Sequence, residues 1–178
     1  APLQVWSWDI TKLKSTLKWH SFYLYVLLDI FSRYVVGWLV AEAENAALAS
    51  ALIEQTCAKH DIAPDSLTLH SDRGSPMRAK TTAELLVDLG VAASFSRPRV
   101  SNDNPFSESQ FKTLKYRPDF PERFNGIEHA RQHLRPFFHW YNHEHRHSGI
   151  GFMTPAAVHF GQAPALQEQR AKVLVAAY

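Results

Sequence analysis

Hydrophobic runs separated by short polar breaks dominate the first part of the chain. Residues 22–30 and 34–41 are two such runs, and both are rich in the aromatic and β-branched residues that favour strands. Only residues 31–33 connect them, so the pattern predicts a β-hairpin. Both runs are apolar at consecutive positions rather than at alternate ones. This is typical of a sheet that is covered on both faces.

A shorter apolar stretch, residues 5–9, precedes the hairpin and ends at Asp9. It is too short to stand alone, so we expect it to pair with a longer strand. The segment that follows, residues 11–21, carries Lys12, Lys14 and Lys18. We predict that this segment forms the turn and the sheet edge between the first two strands.

Helical and extended patterns alternate in the next part of the chain. Residues 45–60 contain no Gly or Pro and predict a helix, and residues 80–89 predict another. Apolar residues 67–71 and 92–96 predict strands, the first of which leads to Asp72. The helices are expected to bury one face each, formed by Leu48, Ala51 and Leu52 in the first and by Ala83, Leu86, Val87 and Gly90 in the second.

Residues 97–103 are rich in turn-forming residues and predict a loop. Asn104 suits the N-cap and Pro105 the first position of a helix that carries Glu108. Helical spacing places Lys112 and Lys115 on the face of Glu108, with Phe111 and Leu114 turned toward the core.

A further helix is predicted over residues 126–142, with a kink or break at Pro136. Its apolar stripe is expected to contain Ile127, Ala130, Leu134, Phe138 and Tyr141. Thr154 and Pro155 predict another helix start. The order of elements predicts an α/β fold with a mixed five-stranded sheet flanked by helices.

Three carboxylates stand at the ends of hydrophobic elements: Asp9, Asp72 and, thirty-five residues after Asp72, Glu108. Bringing three such groups together is costly unless a cation neutralises them. Hard carboxylate oxygens suit Mg²⁺ or Mn²⁺. Two ions would hold the attacking and leaving oxygens of an in-line phosphoryl transfer, with Asp9 bridging both ions and Asp72 and Glu108 each completing one.

The segments around these acids read WSWDIT (residues 6–11), HSDRG (70–74) and NDNPFSES (102–109). Together they resemble the DDE catalytic core of bacterial insertion-sequence transposases, the branch most similar to retroviral integrases. The resemblance extends over nearly the whole chain, including HRHSGIGFMTP at residues 145–155. A single pair of acids at this spacing would be weak, whereas three acids in order within their own motifs are specific.

The resemblance implies a ribonuclease H-like fold and one integrase-type catalytic core over residues 1–178, with strands and helices in about 4–142 and an extension over about 143–178. It also implies a domain excised from a longer chain, in which a DNA-binding region precedes the core. The implied activity is metal-dependent cleavage of transposon ends and transfer of their 3′-hydroxyls into target DNA. The implied partners are double-stranded DNA and further copies of the protein.

Composition and charge add a domain count, a cellular location and candidate DNA contacts. The 178 residues are 46% hydrophobic, enough for one domain with a core. No apolar run is long enough for a membrane span and no signal peptide is visible, so we predict a cytoplasmic protein. The resemblance implies that it acts at the bacterial nucleoid. Net charge is only +2, but basic residues gather around the third acid. We therefore predict DNA contacts for Arg97, Arg99, Lys112 and Lys115.

Several alternatives remain open from sequence. Lys112 and Lys115 could instead form helical pairs with Glu108. His70 and Asn104 are possible accessory residues of the site, although His70 could simply be packed. Asp29 is a fourth acid, for which we predict a structural role in the hairpin turn. The whole chain could also be a ribonuclease H-like nuclease that cuts without joining, or a DNA-binding assembly module with an inactive site.

Overall fold

The computed structural model describes residues 1–74, 76–97 and 103–177. Five strands form one mixed sheet in the order β3-β2-β1-β4-β5. β1 pairs antiparallel with β2 and β2 with β3, while β1 pairs parallel with β4 and β4 with β5. The predicted mixed five-stranded sheet is therefore confirmed. The strands are β1 (Val5–Lys14), β2 (Ser21–Asp29), β3 (Val35–Ala41), β4 (Thr68–Ser71) and β5 (Ala92–Phe95).

Helices cover both faces of this sheet. They are α1 (Ala46–Lys59), α2 (Lys80–Asp88), α3 (Pro105–Lys115), α4 (Ile127–His143), α5 (Pro155–His159) and α6 (Ala163–Ala176). Buried residues of α1 and α2 join one hydrophobic cluster, and those of α3 and α4 join a second one. Alternate residues of β2 supply the two clusters: Tyr25 and Leu27 face the first, and Leu24, Val26 and Leu28 face the second. This arrangement explains why β2 is apolar at consecutive positions. Within the described residues, no helix combines the length and the apolar character that crossing a membrane requires.

The first strand is longer than the sequence predicted. β1 continues from Asp9 to Lys14, which pairs with Ser21 of β2. Leu13 is fully buried between the exposed Lys12 and Lys14. Lysines that alternate with an inward apolar residue are typical of a half-buried strand. In the sequence these lysines indicated part of a turn, so the strand was missed. The predicted turn over residues 11–21 is therefore wrong, and the actual turn between the strands spans residues 15–20.

The predicted inner faces of the first two helices are also partly wrong. Leu52 and Leu86 are buried as predicted, whereas Leu48, Ala83 and Val87 are exposed. The other buried residues of α1 are Ala49, Ile53, Thr56 and Cys57. The reason is a close approach between α1 and β3 at Gly37. A Cβ atom at Gly37 would lie only 2.4 Å from Oγ1 of Thr56, so the glycine allows this face of α1 to dock.

α4 runs without interruption from Ile127 to His143, so the predicted break at Pro136 does not occur. Pro136 removes only one backbone donor, and it lies with Gln132 on the exposed side, where water can bond the freed Gln132 carbonyl. The buried stripe holds the helix on both sides of the proline. Its predicted members Ala130, Leu134, Phe138 and Tyr141 are all buried.

The turn between β2 and β3 is organised by Asp29, which is completely buried. Its carboxylate accepts hydrogen bonds from the Ser32 backbone N–H at 2.8 Å, the Ser32 hydroxyl at 2.7 Å and the Leu3 backbone N–H at 2.6 Å. Ser32 Oγ also lies 3.0 Å from Nδ1 of His159 in α5. The predicted structural role of Asp29 is confirmed, and the same contacts connect the N-terminus, the hairpin and α5.

Candidate active site

Two of the predicted acids lie side by side where β4 ends, next to the inner strand β1. β1 and β4 are parallel, and Trp8 stands opposite Ser71 in their register. Asp9 and Asp72 are the next residues of the two segments. Because both chains run in the same direction, the two residues emerge at the same level, at the carboxyl end of β4.

Glu108 reaches the same region from the first turn of α3. Asn104, Ser107 and Glu108 share one face of the helix, since they are spaced by three and four residues. Oγ of the fully buried Ser7 bonds both Oδ1 of Asn104 and Oγ of Ser107, the latter at 2.6 Å. Ser7 lies two residues before Asp9, on the same side of β1. These contacts place Glu108 over the side of β1 that carries Asp9.

Asn104 occupies the N-cap position of α3 as predicted, but its side chain does not cap the helix. Its amide instead accepts from Ser7 and donates to the carbonyl of Trp8 at 3.4 Å. The hydroxyl of Ser7 is buried and needs a partner, which explains why the side chain turns toward the sheet. Ser7, Asn104 and Ser107 form a buried polar cluster between β1 and the start of α3. We call it the Ser7 cluster.

The electrostatics of the site centre on Asp9, whose pKa is raised to about 7. Burial of the carboxylate is the main cause, and the negative charges of Asp72, Glu108 and Glu44 raise the pKa further. A hydrogen bond from the Ile10 backbone N–H, at 2.8 Å, acts in the opposite direction. The neighbouring Asp72 carboxylate accepts from the Gly74 N–H at 2.8 Å. Three acids thus share one electrostatic environment.

No group of three or more His, Cys, Asp or Glu side chains is gathered tightly enough to hold a metal ion in the parts of the chain that the structure describes. The charges of Asp72 and Glu108 raise the pKa of Asp9, although the three acids do not form such a cluster. Like-charged carboxylates repel one another when no cation lies between them.

The raised pKa of Asp9 has a consequence for stability. Asp9 gives up its proton near pH 7 in the folded state but near 3.8 ordinarily, so the folded state loses stability as pH rises from about 4 to about 7. We predict that Asp9→Asn raises the melting temperature of the metal-free protein at pH 8 and changes it much less at pH 4. Differential scanning fluorimetry in a chelating buffer measures the difference. An equal effect of the substitution at both pH values would contradict the raised pKa.

Two lysines of α3 differ in their surroundings. Nζ of Lys115 donates to Oγ1 of Thr11 at 2.6 Å. Thr11 lies on β1, two residues after Asp9. Burial lowers the pKa of Lys115, while the charge of Asp9 raises it and that of Lys14 lowers it. Lys112 is exposed, and no ion pair joins these two described residues, Glu108 and Lys112. The alternative of a helical Glu–Lys pair is therefore not realised.

Arg97 has an intramolecular partner that the sequence did not reveal. Its backbone N–H, Nε and Nη2 donate to the Asp103 carboxylate at 2.7, 3.0 and 2.9 Å. This pairing lowers the pKa of Asp103 to about 2. The contact joins the two ends of residues 98–102, and the predicted DNA contact Arg99 lies within that stretch, outside the described residues. Arg97 therefore has a structural partner within the protein, and its DNA contact stays a prediction.

Both ring nitrogens of His70 are engaged by the protein. Nδ1 lies 3.0 Å from Oγ of Ser94 on β5, and Nε2 lies 3.0 Å from the backbone carbonyl of Asp103. His70 therefore connects β4, β5 and the segment that leads into α3. These contacts support the packed interpretation of His70, in which it fixes the approach of α3 to the sheet.

Comparisons with known proteins agree with this architecture. The family model described as Integrase core domain matches residues 1–101, and a second model of the same description matches residues 89–155. The chain is 31% identical over 156 residues to the transposase for insertion sequence element IS904 of Lactococcus lactis subsp. lactis (strain IL1403). That alignment covers 87% of this chain and 60% of the relative. The chain spans between 53% and 60% of the curated relatives that it matches.

Solved structures show the same fold at low identity. The simian T-cell lymphotropic virus intasome, in complex with PP2A regulatory subunit B56 gamma, contains a chain that is similar to this one with a TM-score of 0.70 and 19% identity, over 89% of this chain and 54% of that chain. The HTLV-2 integrase catalytic core domain in complex with magnesium gives a TM-score of 0.62 at 17% identity, over 89% and 97%. The sheet order and these likenesses define a ribonuclease H-like fold. With one family model covering more than half of its residues, the chain belongs to the integrase core domain family.

Proposed function

We propose that this chain is the catalytic core of a bacterial insertion-sequence transposase, acting on nucleoid DNA in the cytoplasm. It cleaves DNA at transposon ends and transfers the 3′-hydroxyls into target DNA. The observation that carries the proposal is the register of β1 and β4, which sets Asp9 beside Asp72, with α3 attached to the same strand through Ser7. Relatives named as transposases, at about 30% identity over most of this chain, support it.

The donor set suits Mg²⁺ or Mn²⁺. All three side chains offer carboxylate oxygens, which these ions prefer, and Asp9 is a half-buried carboxylate whose pKa is raised further by the charges of the two other acids. When bound, two divalent ions supply the positive charge that stabilises the attacking and leaving oxygens of phosphoryl transfer. Asp9 would contribute to both ions, while Asp72 and Glu108 would each complete one. An integrase core solved in complex with magnesium has the same fold.

The remaining residues of the site position and attract the substrate. The Ser7 cluster fixes the first turn of α3 and with it the Glu108 carboxylate. His70 holds the segment before α3 against the sheet. The exposed Lys112 can contact a DNA phosphate. Lys115 bonds Thr11 of β1, where its positive charge can attract DNA that lies along this strand. For the exposed Arg97, DNA contact requires exchange of its Asp103 partner for a phosphate. We assign a DNA contact to Arg99 as well.

Residues 1–178 form the catalytic core in this proposal, and the active complex contains at least two copies because two DNA ends must be brought together. Dimeric and trimeric forms of the HTLV-2 core domain have been solved, which is consistent with assembly through this fold. A strand-transfer assay tests the activity. The full-length protein, a labelled donor end with a free 3′-hydroxyl, target plasmid and Mg²⁺ should yield joined product. Nicks without joining would favour a ribonuclease H-like nuclease, and a DNA shift without metal-dependent product would favour an inactive assembly module.

Metal binding is tested separately from catalysis. Titration of the protein with Mn²⁺ in a calorimeter should show weak binding that disappears in Asp9→Asn, because this substitution removes the carboxylate assigned to both ions. Asp119→Asn is the matched control, since Asp119 is an exposed acid paired with Arg117 outside the site. Binding that is unchanged in Asp9→Asn would contradict the ligand assignment.

A further inference from the structure

The paired strands β1 and β2 extend well beyond the edge that carries the acids. β4 ends at Ser71, opposite Trp8, but β1 continues to Lys14 with β2 as its partner. At a rise of roughly 3.3 Å per residue, this extension carries the end of β1 about 20 Å past Trp8. The extension points in the direction in which β1 and β4 both run, so it projects on the side of Asp9 and Asp72.

The turn at the end of this extension displays apolar side chains to solvent. Trp19 is 95% exposed and Leu17 is 65% exposed. Trp19 also adopts a left-handed backbone conformation, with φ of 63°. A bulky aromatic residue rarely takes this conformation, and such strain is maintained where the surrounding structure imposes it. We call residues 17–19 the hairpin tip.

The backbone beneath the hairpin tip is held firmly. The Thr16 N–H donates to the carbonyl of Phe124 at 3.0 Å, and the Phe124 N–H donates to the carbonyl of Lys14 at 2.9 Å. Nη1 of Arg123 donates to the carbonyl of Ser15 at 2.8 Å, and Phe124 itself is fully buried. The tip is therefore presented in a fixed conformation, and binding there orders little additional backbone.

The charged Lys, Asp and Glu side chains of the β1–β2 hairpin, residues 10–28, are all lysines. Residues 10–28 contain Lys12, Lys14 and Lys18 and no Asp or Glu. Nζ of Lys18 lies 5.5 Å from the centre of the Trp19 ring, so charge and aromatic surface sit together at the tip. Glu42 of the segment after β3 is an acid close to this turn, and it pairs with His20 at 3.3 Å. Lys115, bonded to Thr11, adds positive charge between Asp9 and the tip.

We propose that the hairpin tip is a second DNA-binding element. It binds the duplex that is cleaved at the site of the three acids, about six base pairs from the scissile phosphate. In the proposed arrangement the duplex axis runs parallel to β1, so about 20 Å corresponds to roughly six steps of 3.4 Å along a DNA strand. Lys14 and Lys18 meet phosphates, while Trp19 and Leu17 pack against sugars and base edges in the groove. The inference rests on the proposed function and adds a contact that sets the register of DNA across the site.

Footprinting of the full-length protein tests this contact. The probe is a duplex that carries the element's own terminal sequence, bound in Ca²⁺ and treated with hydroxyl radicals, with the cleavage position mapped on the same duplex in Mg²⁺. Wild-type protein should protect sugars about six base pairs from the cleaved bond, and Trp19→Ala should lose this protection. Loss of a central aromatic contact should also raise the Kd for the duplex roughly tenfold. Val87→Ala, which removes an exposed apolar side chain from α2, should change neither result.

The outcomes separate the two proposals. If the wild-type protein joins DNA but Trp19→Ala keeps the full footprint and Kd, the hairpin tip is not a DNA contact and the proposed function stands. If Trp19→Ala changes the sedimentation coefficient of the protein and leaves the footprint intact, the tip binds another copy of the chain and the DNA proposal is overturned. If wild-type protein neither joins nor protects DNA, both proposals fail. Trp19 is nearly fully exposed, so Trp19→Ala should melt at the wild-type temperature.

Discussion

Glutamine in place of Glu108 is expected to lower DNA cleavage and strand transfer by a factor of about one thousand or more. The substitution keeps the size of the side chain and removes the negative charge that would hold a divalent ion. The first turn of α3 should stay in place, because the Ser7 cluster bonds Ser107 and Asn104 and does not involve Glu108. Gel assays of cleavage and joining in Mg²⁺ and Mn²⁺ measure both steps.

Glu122→Gln is the matched control for this prediction, because it makes the same chemical change at an exposed position before α4. It should retain full activity. Thermal unfolding should show that Glu108→Gln is as stable as wild type or more stable, since the substitution removes one of the charges that raise the pKa of Asp9. A Glu108→Gln protein that cuts and joins at the wild-type rate would remove Glu108 from the catalytic group.

Alanine in place of Asp29 is expected to destabilise the fold by about 3–5 kcal/mol. Its carboxylate is buried and accepts from two backbone N–H groups and one hydroxyl, and an alanine would leave these donors without a partner. The loss should loosen the N-terminal segment, the turn between β2 and β3, and the docking of α5 through His159 at once. Equilibrium unfolding in urea, followed by tryptophan fluorescence, measures the change.

Asp119→Ala serves as the control for Asp29→Ala, because it removes an exposed carboxylate paired with Arg117 and should leave the urea midpoint nearly unchanged. Below its own unfolding transition, Asp29→Ala should still join DNA, since Asp29 ends β2 and is not one of the three site acids. An inactive Asp29→Ala protein of wild-type stability would contradict the structural role.

Sequence patterns anticipated the order of the first eight elements, because each long hydrophobic run belongs to one strand of a doubly covered sheet. They failed where tertiary contacts decide the outcome. The extension of β1 was hidden by Lys12 and Lys14, whose side chains reach solvent from an otherwise paired strand. The buried face of α1 depends on its close approach to Gly37, which lies on a different element.

The acids of the site were recognisable because each sits within a short local motif, and the structure brings their elements together. The Ser7 cluster was not recognised, since Ser7 lies about one hundred residues from its partners in sequence and only folding unites them. A small polar residue two positions before Asp9, in an apolar strand, was the available signal. The exposure of Trp19 had no sequence signal, because tryptophan in a strand-rich region usually belongs to the core.

The position of β1 between an antiparallel and a parallel neighbour has a consequence for synthesis on the ribosome. Its pairing with β2 closes a short loop, whereas its pairing with β4 must bridge more than fifty residues and carries a larger entropic cost. We expect the meander of β1, β2 and β3 to assemble first in the nascent chain. Asp72 joins Asp9 only after α1 has emerged, and Glu108 arrives later still, so a ribosome stalled before α3 carries a polypeptide that lacks the third acid of the proposed site.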